Sequence, residues 1–201
     1  MIPRKAVYRL SLYYRSLQRL KSNQIATVSS AALAKAAGVK PTQLRKDLTY
    51  FGQFGTRGLG YDVAALSEKL TEVLGTTHLQ PVILVGVGHL GSALLGYQGF
   101  AKEGFEIVAA FDLDPFRERT DHGVAVYALS ELKPFVKMNN TKMAILAVPG
   151  TAAQEVTNDL VEAGIQGILN FSPIILQVPD GAVVNNVDLA IELENLSYFI
   201  R

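Results

Sequence analysis

The chain has 201 residues, of which 49% are hydrophobic and 18% charged, a balance typical of a globular protein that buries a core. It has no cysteine, which excludes disulfides, thiolate catalysis and zinc–thiolate sites. Its apolar runs fall short of the roughly 18–20 residues that span a bilayer, and the amino terminus lacks the pattern of an export signal. We therefore expect a cytoplasmic protein with no membrane or metal partner.

The net charge of +1 conceals a strong asymmetry along the chain. Residues 1–60 hold eleven Lys and Arg residues and a single acid, Asp47, for a net charge of +10. Residues 61–201 hold eight basic and seventeen acidic residues, for a net charge of −9. Such segregation indicates two units with different partners. The density of positive charge in the first unit favours nucleic-acid binding over an ordinary solvated basic surface.

Helical signals dominate the basic segment. Apolar residues recur at helical spacing over residues 3–20, which predicts a first helix. Ser29 can cap a second helix over Ala31–Ala37, and a third, begun by a proline, covers Pro41–Phe51. Two helices joined by a short turn that contains glycine form a helix-turn-helix. Four glycines within residues 52–60 then predict a tight hairpin, which is the wing of a winged helix.

After a connecting helix over Val63–Leu74, which Asp62 caps and Gly75 ends, the pattern changes to alternating strands and helices. The apolar run Val82–Val85 is typical of a strand buried on both faces. A helix over Leu90–Lys102 follows, and then four strands alternate with two helices. This alternation predicts a doubly wound parallel sheet of the Rossmann type.

These elements predict an α/β protein in three parts. We assign a winged-helix DNA-binding domain to residues 1–78, a Rossmann NAD(H)-binding domain to residues 79–187 and a C-terminal helix to residues 188–201. That last helix carries more apolar area than a chain-end helix should expose, so it needs a partner. Within the Rossmann domain, Thr151 and Gln154 are expected to form a capping box.

The sequence Gly86-Val87-Gly88-His89-Leu90-Gly91 follows the apolar strand and opens a helix, which is the context in which GxGxxG binds a dinucleotide. The first glycine allows a tight turn, the second lets a pyrophosphate approach the backbone, and the third lets helix and strand pack closely. Asp112, at the end of the next strand, suits the ribose hydroxyls and favours NAD(H) over NADP(H). Asp114 is a rival for this role, and Asp112 is alternatively a simple loop cap.

Two further turns follow later strands of the predicted sheet, Val148-Pro149-Gly150 and Asn170-Phe171-Ser172-Pro173. Ligands of open α/β sheets bind outside the carboxyl ends of the strands. We expect both turns to line the nicotinamide. The alternative is that each proline merely ends a strand.

A dehydrogenase needs a proton donor or acceptor beside the nicotinamide. The histidines His78, His89 and His122 lie in the linker, the glycine loop and a later loop, and no His–Asp or Lys–Tyr arrangement follows at a recognisable spacing. We therefore predict that the chain is not an enzyme. Two alternatives stay open, a small NAD-dependent oxidoreductase with an incidental basic arm and a CoA-binding Rossmann module of the acyl-CoA synthetase type.

The chain resembles the Rex family of redox-sensing transcriptional repressors over nearly its whole length. The resemblance rests on Gln43–Gly52 with Thr56–Tyr61, on Gly86–Gly91 and on Gly164–Pro173. It implies a homodimer whose C-terminal helix is exchanged between subunits and inserts between the partner's two domains. It also implies NADH and NAD+ as ligands and repression of respiratory or fermentative genes when NADH is low.

Operator contacts are expected from the third helix and the wing. Arg45 and Lys46 lie early in the helix, where base edges and phosphates are within reach, with Gln43 and Tyr50 as secondary candidates. Arg57, at the hairpin tip, suits a narrow minor groove. Some of these side chains alternatively contact only phosphate. A dimer presents two such helices, so the operator should be palindromic.

The nicotinamide ring is cationic in NAD+ and neutral in NADH, and an apolar pocket prefers the neutral form. Phe171 and Phe199 are the candidates for such a pocket. The resemblance further implies a polar link of Arg9, Tyr97 and Asp188 that couples the DNA-binding domain to the cofactor. A static interdomain salt bridge is the alternative explanation for that link.

Overall fold

The computed structural model describes residues 2–55, 59–114 and 123–200. The chain divides into two compact units, Met1–His78 and Leu79–Arg201, and each has its own hydrophobic core. None of the helices described is long and apolar enough to cross a membrane. The same residues contain no group of three or more side chains suited to hold a metal ion.

Over its described residues, 2–55 and 59–78, the first unit has four helices and a two-stranded antiparallel sheet. Its elements are α1 (Arg4–Ser22), β1 (Thr27–Val28), α2 (Ser30–Ala36), α3 (Pro41–Thr49), β2 (Tyr61–Asp62) and α4 (Val63–Leu74). Helix α3 ends two residues before the predicted Phe51. The tip of the predicted wing, with Arg57, lies outside the described residues.

Local capping signals explain the helix ends of this unit. Ser29 Oγ accepts a hydrogen bond from Ala32 N at the start of α2, and Asp62 Oδ1 accepts one from Ala65 N at the start of α4. Gly75 ends α4 in the left-handed region, with φ of 71°. Helix α4 therefore has the predicted bounds, because residues next to it in the sequence, Asp62 and Gly75, determine where it begins and ends.

The second unit contains a six-stranded parallel sheet with the strand order β5-β4-β3-β6-β7-β8. Counted within this unit, the order is 3-2-1-4-5-6, the order of the Rossmann fold, and it confirms the predicted doubly wound sheet. The strands are β3 (Gln80–Val85), β4 (Phe105–Asp112), β5 (Val126–Ala128), β6 (Met143–Leu146), β7 (Gly167–Asn170) and β8 (Val183–Asn186). The helices are α5 (His89–Leu95), α6 (Gly99–Lys102), α7 (Leu132–Asn139), α8 (Gly150–Ala163) and α9 (Leu189–Phe199).

The helix predicted over Leu90–Lys102 is broken, since α5 ends at Leu95 and α6 begins at Gly99. Glycine is a poor helix former, and this stretch has one glycine on each side of the break. The ring of Tyr97 occupies the space that a side chain at residue 99 would need, because a Cβ there would lie 2.3 Å from the ring. At the break, the ring of Tyr97 therefore packs directly against Gly99.

The predicted capping box of Thr151 and Gln154 was wrong. Helix α8 begins earlier, with Pro149 as its N-cap and no side-chain cap. Gln154 instead exchanges two hydrogen bonds of 2.9 Å with the backbone of Gln177. This long-range contact, between residues 23 positions apart, has no local sequence signal.

One buried hydroxyl in the second unit has no hydrogen-bond partner among the residues described, Thr141 Oγ1, between α7 and β6. An unpaired buried polar group costs about 1–3 kcal/mol. Replacing the hydroxyl by a methyl group in Thr141→Val should therefore raise the free energy of unfolding by about 1 kcal/mol, as measured by urea denaturation.

Thr157 of α8 is the matched control, because it is equally buried but its Oγ1 donates to Ala153 O at 2.7 Å. Thr157→Val should lower the free energy of unfolding by about 1 kcal/mol. Equal destabilisation by both substitutions would show that Thr141 has a partner.

Candidate dinucleotide site and nucleic-acid interface

The glycine loop lies where the order of the sheet reverses. Strand β3 pairs with β4 on one side and with β6 on the other, so the chain leaves β3 at the topological switch point of the fold. Gly86 N donates to Phe111 O at 2.8 Å, and Ala147 N donates to Val85 O at 2.8 Å. These bonds hold the end of β3 between β4 and the segment after β6 at the carboxyl edge of the sheet.

Close packing explains the first and third glycines of the loop. Gly86 has φ of 94°, and a Cβ there would lie 2.5 Å from Ala147 O. A Cβ on Gly91 would lie 1.9 Å from Gly86 O, so neither position accepts a side chain without a backbone shift. Gly88 differs, because an added Cβ would meet no protein atom within 4 Å. The open space at Gly88 is where the fingerprint places a pyrophosphate, so this loop fits a dinucleotide.

Asp112 contacts the glycine loop directly. Its Oδ2 accepts a hydrogen bond from Val87 N at 2.7 Å, and its Oδ1 accepts one from Asp114 N at 3.1 Å. Each carboxylate oxygen has a second lone pair, which leaves capacity for ribose hydroxyls. This geometry favours Asp112 over Asp114 as the acid of the site.

The predicted turns after β6 and β7 meet at the same edge of the sheet, where a hydrogen bond from the Ser172 side chain joins them. Asn170 is 1% exposed, and its Nδ2 donates to Asn186 Oδ1 at 2.9 Å and to two backbone carbonyls, while its Oδ1 accepts from Ser172 N. Ser172 Oγ donates to Val148 O at 2.7 Å. The side-chain polar groups of Asn170 and Ser172 therefore have partners within the protein, and contact of either residue with a ligand stays a prediction.

The other predicted cofactor contacts differ in exposure. Val87 is buried, and His89, Leu90 and Pro149 are exposed. Phe171 is half-buried and packs on the core of the sheet. Phe199, near the end of α9, is 81% exposed, and its described ring contact is with Tyr198 at 5.3 Å.

The predicted DNA contacts on α3 fall into two groups that differ in exposure. Arg45, Lys46 and Tyr50 are exposed, and Arg45 Nη1 donates to Ser30 Oγ at 3.1 Å. Gln43 is half-buried, and its Nε2 donates to a carboxylate oxygen of Asp47 at 2.8 Å. The side chain of Gln43 therefore serves an intramolecular contact.

Asp47, the single acid of residues 1–60, is fully buried. Burial raises the pKa of its carboxyl, but hydrogen bonds from Arg9, Tyr13 and Gln43 outweigh burial and hold the pKa below its usual range. Burial and the adjacent carboxylate raise the pKa of Tyr13. At neutral pH the acid is ionised and the phenol is protonated. The surface of residues 1–60 consequently presents basic side chains with no exposed carboxylate to offset them.

The predicted link of Arg9, Tyr97 and Asp188 joins residues of both units and stays a prediction. Arg9 is already engaged, because its Nε and Nη2 donate to Asp47 at 2.5 and 2.7 Å. Asp188 Oδ1 caps α9 through Ala190 N at 2.9 Å, and Tyr97 is 60% exposed. A link through Arg9 would have to use its remaining N–H groups or release Asp47. No local sequence signal marks this competing pair, whose members are 38 residues apart.

Two family models match the chain. Residues 1–49 match a putative DNA-binding protein N-terminus, and residues 77–174 match a CoA binding domain. The redox-sensing transcriptional repressor Rex of Carboxydothermus hydrogenoformans is 45% identical over 100% of this chain and 97% of its own. That of Syntrophobacter fumaroxidans is 43% identical over 99% of this chain and 96% of its own.

Solved structures agree with these relatives. RSP, a Rex-family repressor, is 35% identical and was solved in complex with β-NAD+ and operator DNA, where it covers 100% of this chain and 93% of its own with a TM-score of 0.91. In complex with β-NADH, the same protein gives a TM-score of 0.87 and covers 94% of its own chain. Identity at this level over the whole length of both chains confirms the resemblance, and the chain belongs to the Rex family of redox-sensing transcriptional repressors.

Proposed function

We propose that the chain is a transcriptional repressor that binds palindromic operator DNA as a homodimer and releases it when NADH binds. The observation that carries the proposal is the pairing, in one chain, of a basic helix-turn-helix segment, whose single acid in residues 1–60 is buried, and a Rossmann crevice with an open glycine loop. RSP, whose structures hold NAD+ with operator DNA or NADH, supports the same ligands here. A repressor of chromosomal genes acts in the cytoplasm.

The exposed side of α3 and the wing contact the DNA. Arg45 and Lys46 lie on that side, and an arginine there can pair with both acceptors of a guanine edge. Tyr50 is available for a phosphate or a sugar. Arg57 is assigned to the minor groove from its sequence position.

The dinucleotide binds at the carboxyl edge of the sheet. The loop Gly86–Gly91 holds the pyrophosphate, and Asp112 accepts hydrogen bonds from the adenosine ribose. Val148, Pro149 and Phe171 border the nicotinamide. When bound, the nicotinamide supplies the difference that the protein senses, since its ring is cationic when oxidised and neutral when reduced. The apolar surface of Phe171 disfavours the cationic ring.

A homodimer explains the composition of α9, in which no residue is buried within the single chain. Large apolar side chains are exposed along it, namely Leu189, Ile191, Leu193, Leu196, Tyr198 and Phe199. Exchange of this helix between two chains would bury that area, and it would bring Phe199 to the nicotinamide pocket of the second chain.

CoA binding is the second candidate, because residues 77–174 match a CoA-binding family model. Asp112 disfavours it. The carboxylate at the ribose position, 2.7 Å from Val87 N, would repel the ribose phosphate of CoA but accept hydrogen bonds from the free hydroxyls of NAD(H).

The proposal is tested by selecting duplexes from a random library with the wild-type chain and titrating the best one at fixed salt. Two chains should bind one palindromic duplex. Saturating NADH should raise the Kd for the duplex about 5–150-fold, the usual range of allosteric coupling, whereas NAD+ and CoA should not. Equal duplex affinity in NADH and NAD+ would refute redox sensing, and release by CoA alone would favour the second candidate.

Gly88→Ala tests whether the glycine loop binds the pyrophosphate, without disturbing the fold. The added methyl group meets no protein atom within 4 Å, so the melting temperature should stay unchanged. It occupies the space assigned to the pyrophosphate, and the Kd for NADH, measured by calorimetry, should rise at least about tenfold, or 1.4 kcal/mol.

Gly91→Ala is the contrasting variant, because its methyl group would lie 1.9 Å from Gly86 O. It should lower both the melting temperature and the affinity for NADH. Wild-type affinity for NADH in Gly88→Ala would place the ligand elsewhere.

A further inference from the structure

Helix α3 carries a charged residue on its buried side. Leu44, Asp47 and Leu48 are buried, while Arg45 and Lys46 are exposed. A helix repeats every 3.6 residues, so these two groups lie on opposite sides of α3. Apolar side chains alone would suffice to pack the buried side. The carboxylate there therefore needs a separate explanation.

Four hydrogen bonds converge on the Asp47 carboxylate from two helices. Arg9 donates from Nε and Nη2 at 2.5 and 2.7 Å, and Tyr13 donates from its hydroxyl at 2.7 Å. Both residues belong to α1, one turn apart. Gln43 donates from Nε2 at 2.8 Å, one turn before Asp47 on α3. We call these four residues the Asp47 clamp.

The Asp47 clamp restricts the relative orientation of α1 and α3 more than it adds stability. A buried ion pair contributes little stability compared with apolar packing of the same volume, because burial strips its charges of water. Apolar contacts between helices, such as those of Leu10 and Leu44 in the same core, tolerate rotation and sliding. Hydrogen bonds weaken steeply when their angle changes, so a fully satisfied polar network holds one arrangement.

We propose that Asp47 is a positioning residue for sequence recognition, and that the Asp47 clamp sets the rotation of α3 on α1. That rotation determines which way Arg45 and Lys46 point. Gln43 belongs to the clamp and does not read a base. This inference rests on the proposed function, because it concerns how the DNA-binding helix is oriented.

Tyr13→Phe tests the inference with the smallest change. It removes one hydrogen bond from the clamp and no charge, and Tyr13 is fully buried on the side of α3 that carries Asp47. Kd values are measured for the duplex selected by the wild-type chain and for variants with each base pair replaced, corrected for the active protein fraction. The ratio of these Kd values, which measures discrimination, should fall about fivefold or more. The slope of log affinity against log salt should not change, since no phosphate contact is lost.

Ser67→Ala is the matched control. Ser67 is 2% exposed and accepts a hydrogen bond from Gln18 Nε2 at 3.0 Å, which ties α1 to α4 rather than to α3. This variant loses a comparable side-chain bond in the same unit, and its discrimination should stay within twofold of the wild type. Equal loss of discrimination in both variants would mean general destabilisation and would overturn the inference. So would unchanged discrimination in Tyr13→Phe.

Gln43→Ala distinguishes a role of Gln43 in the Asp47 clamp from direct contact of Gln43 with a base. A clamp residue affects the orientation of the whole helix, so discrimination should weaken at several base pairs. Loss confined to one base pair would make Gln43 a reader of that base and would contradict its assignment. Failure of the wild-type chain to select any duplex would instead refute the proposed function, which keeps the two failures apart.

Discussion

The DNA-binding unit depends on where a single negative charge lies. Asp47 is the lone acid among the first sixty residues, and it is fully buried under hydrogen bonds from Arg9, Tyr13 and Gln43. An exposed carboxylate at that point of α3 would repel phosphates beside Arg45. Buried, the same charge leaves no exposed carboxylate within residues 1–60, and it ties α3 to α1 through Arg9 and Tyr13.

The second unit depends on a different constraint, the close approach of backbone to backbone at the switch point. Gly86 and Gly91 pack so tightly that neither tolerates a Cβ, and this packing leaves space open at Gly88. Asp112 accepts a hydrogen bond from Val87 N in the loop, and Ser172 Oγ joins the turns after β6 and β7 through Val148 O. The site is therefore preformed by the protein, which agrees with its role as a sensor whose response depends on the ligand rather than on catalysis.

Sequence reasoning succeeded where the signal is local. Helix α4 has the predicted bounds because Asp62 and Gly75 mark its two ends, and the parallel sheet followed from alternating apolar runs. It failed where the signal is tertiary. The Arg9–Asp47 pair spans 38 residues, and nothing local distinguishes Gln43, which points inward, from Arg45, which is exposed. Nothing local signals that Asn170, a predicted ligand contact, donates a hydrogen bond to Asn186 on the neighbouring strand.

Redox sensing requires that DNA binding and dinucleotide binding be coupled, and coupling between two ligands is reciprocal. The most direct measurement is the Kd for NADH of the free protein and of the protein saturated with its selected duplex. We expect the duplex to weaken NADH binding by the same factor by which NADH weakens duplex binding, about 5–150-fold, with no such effect on NAD+. An NADH Kd that is identical with and without the duplex would contradict it.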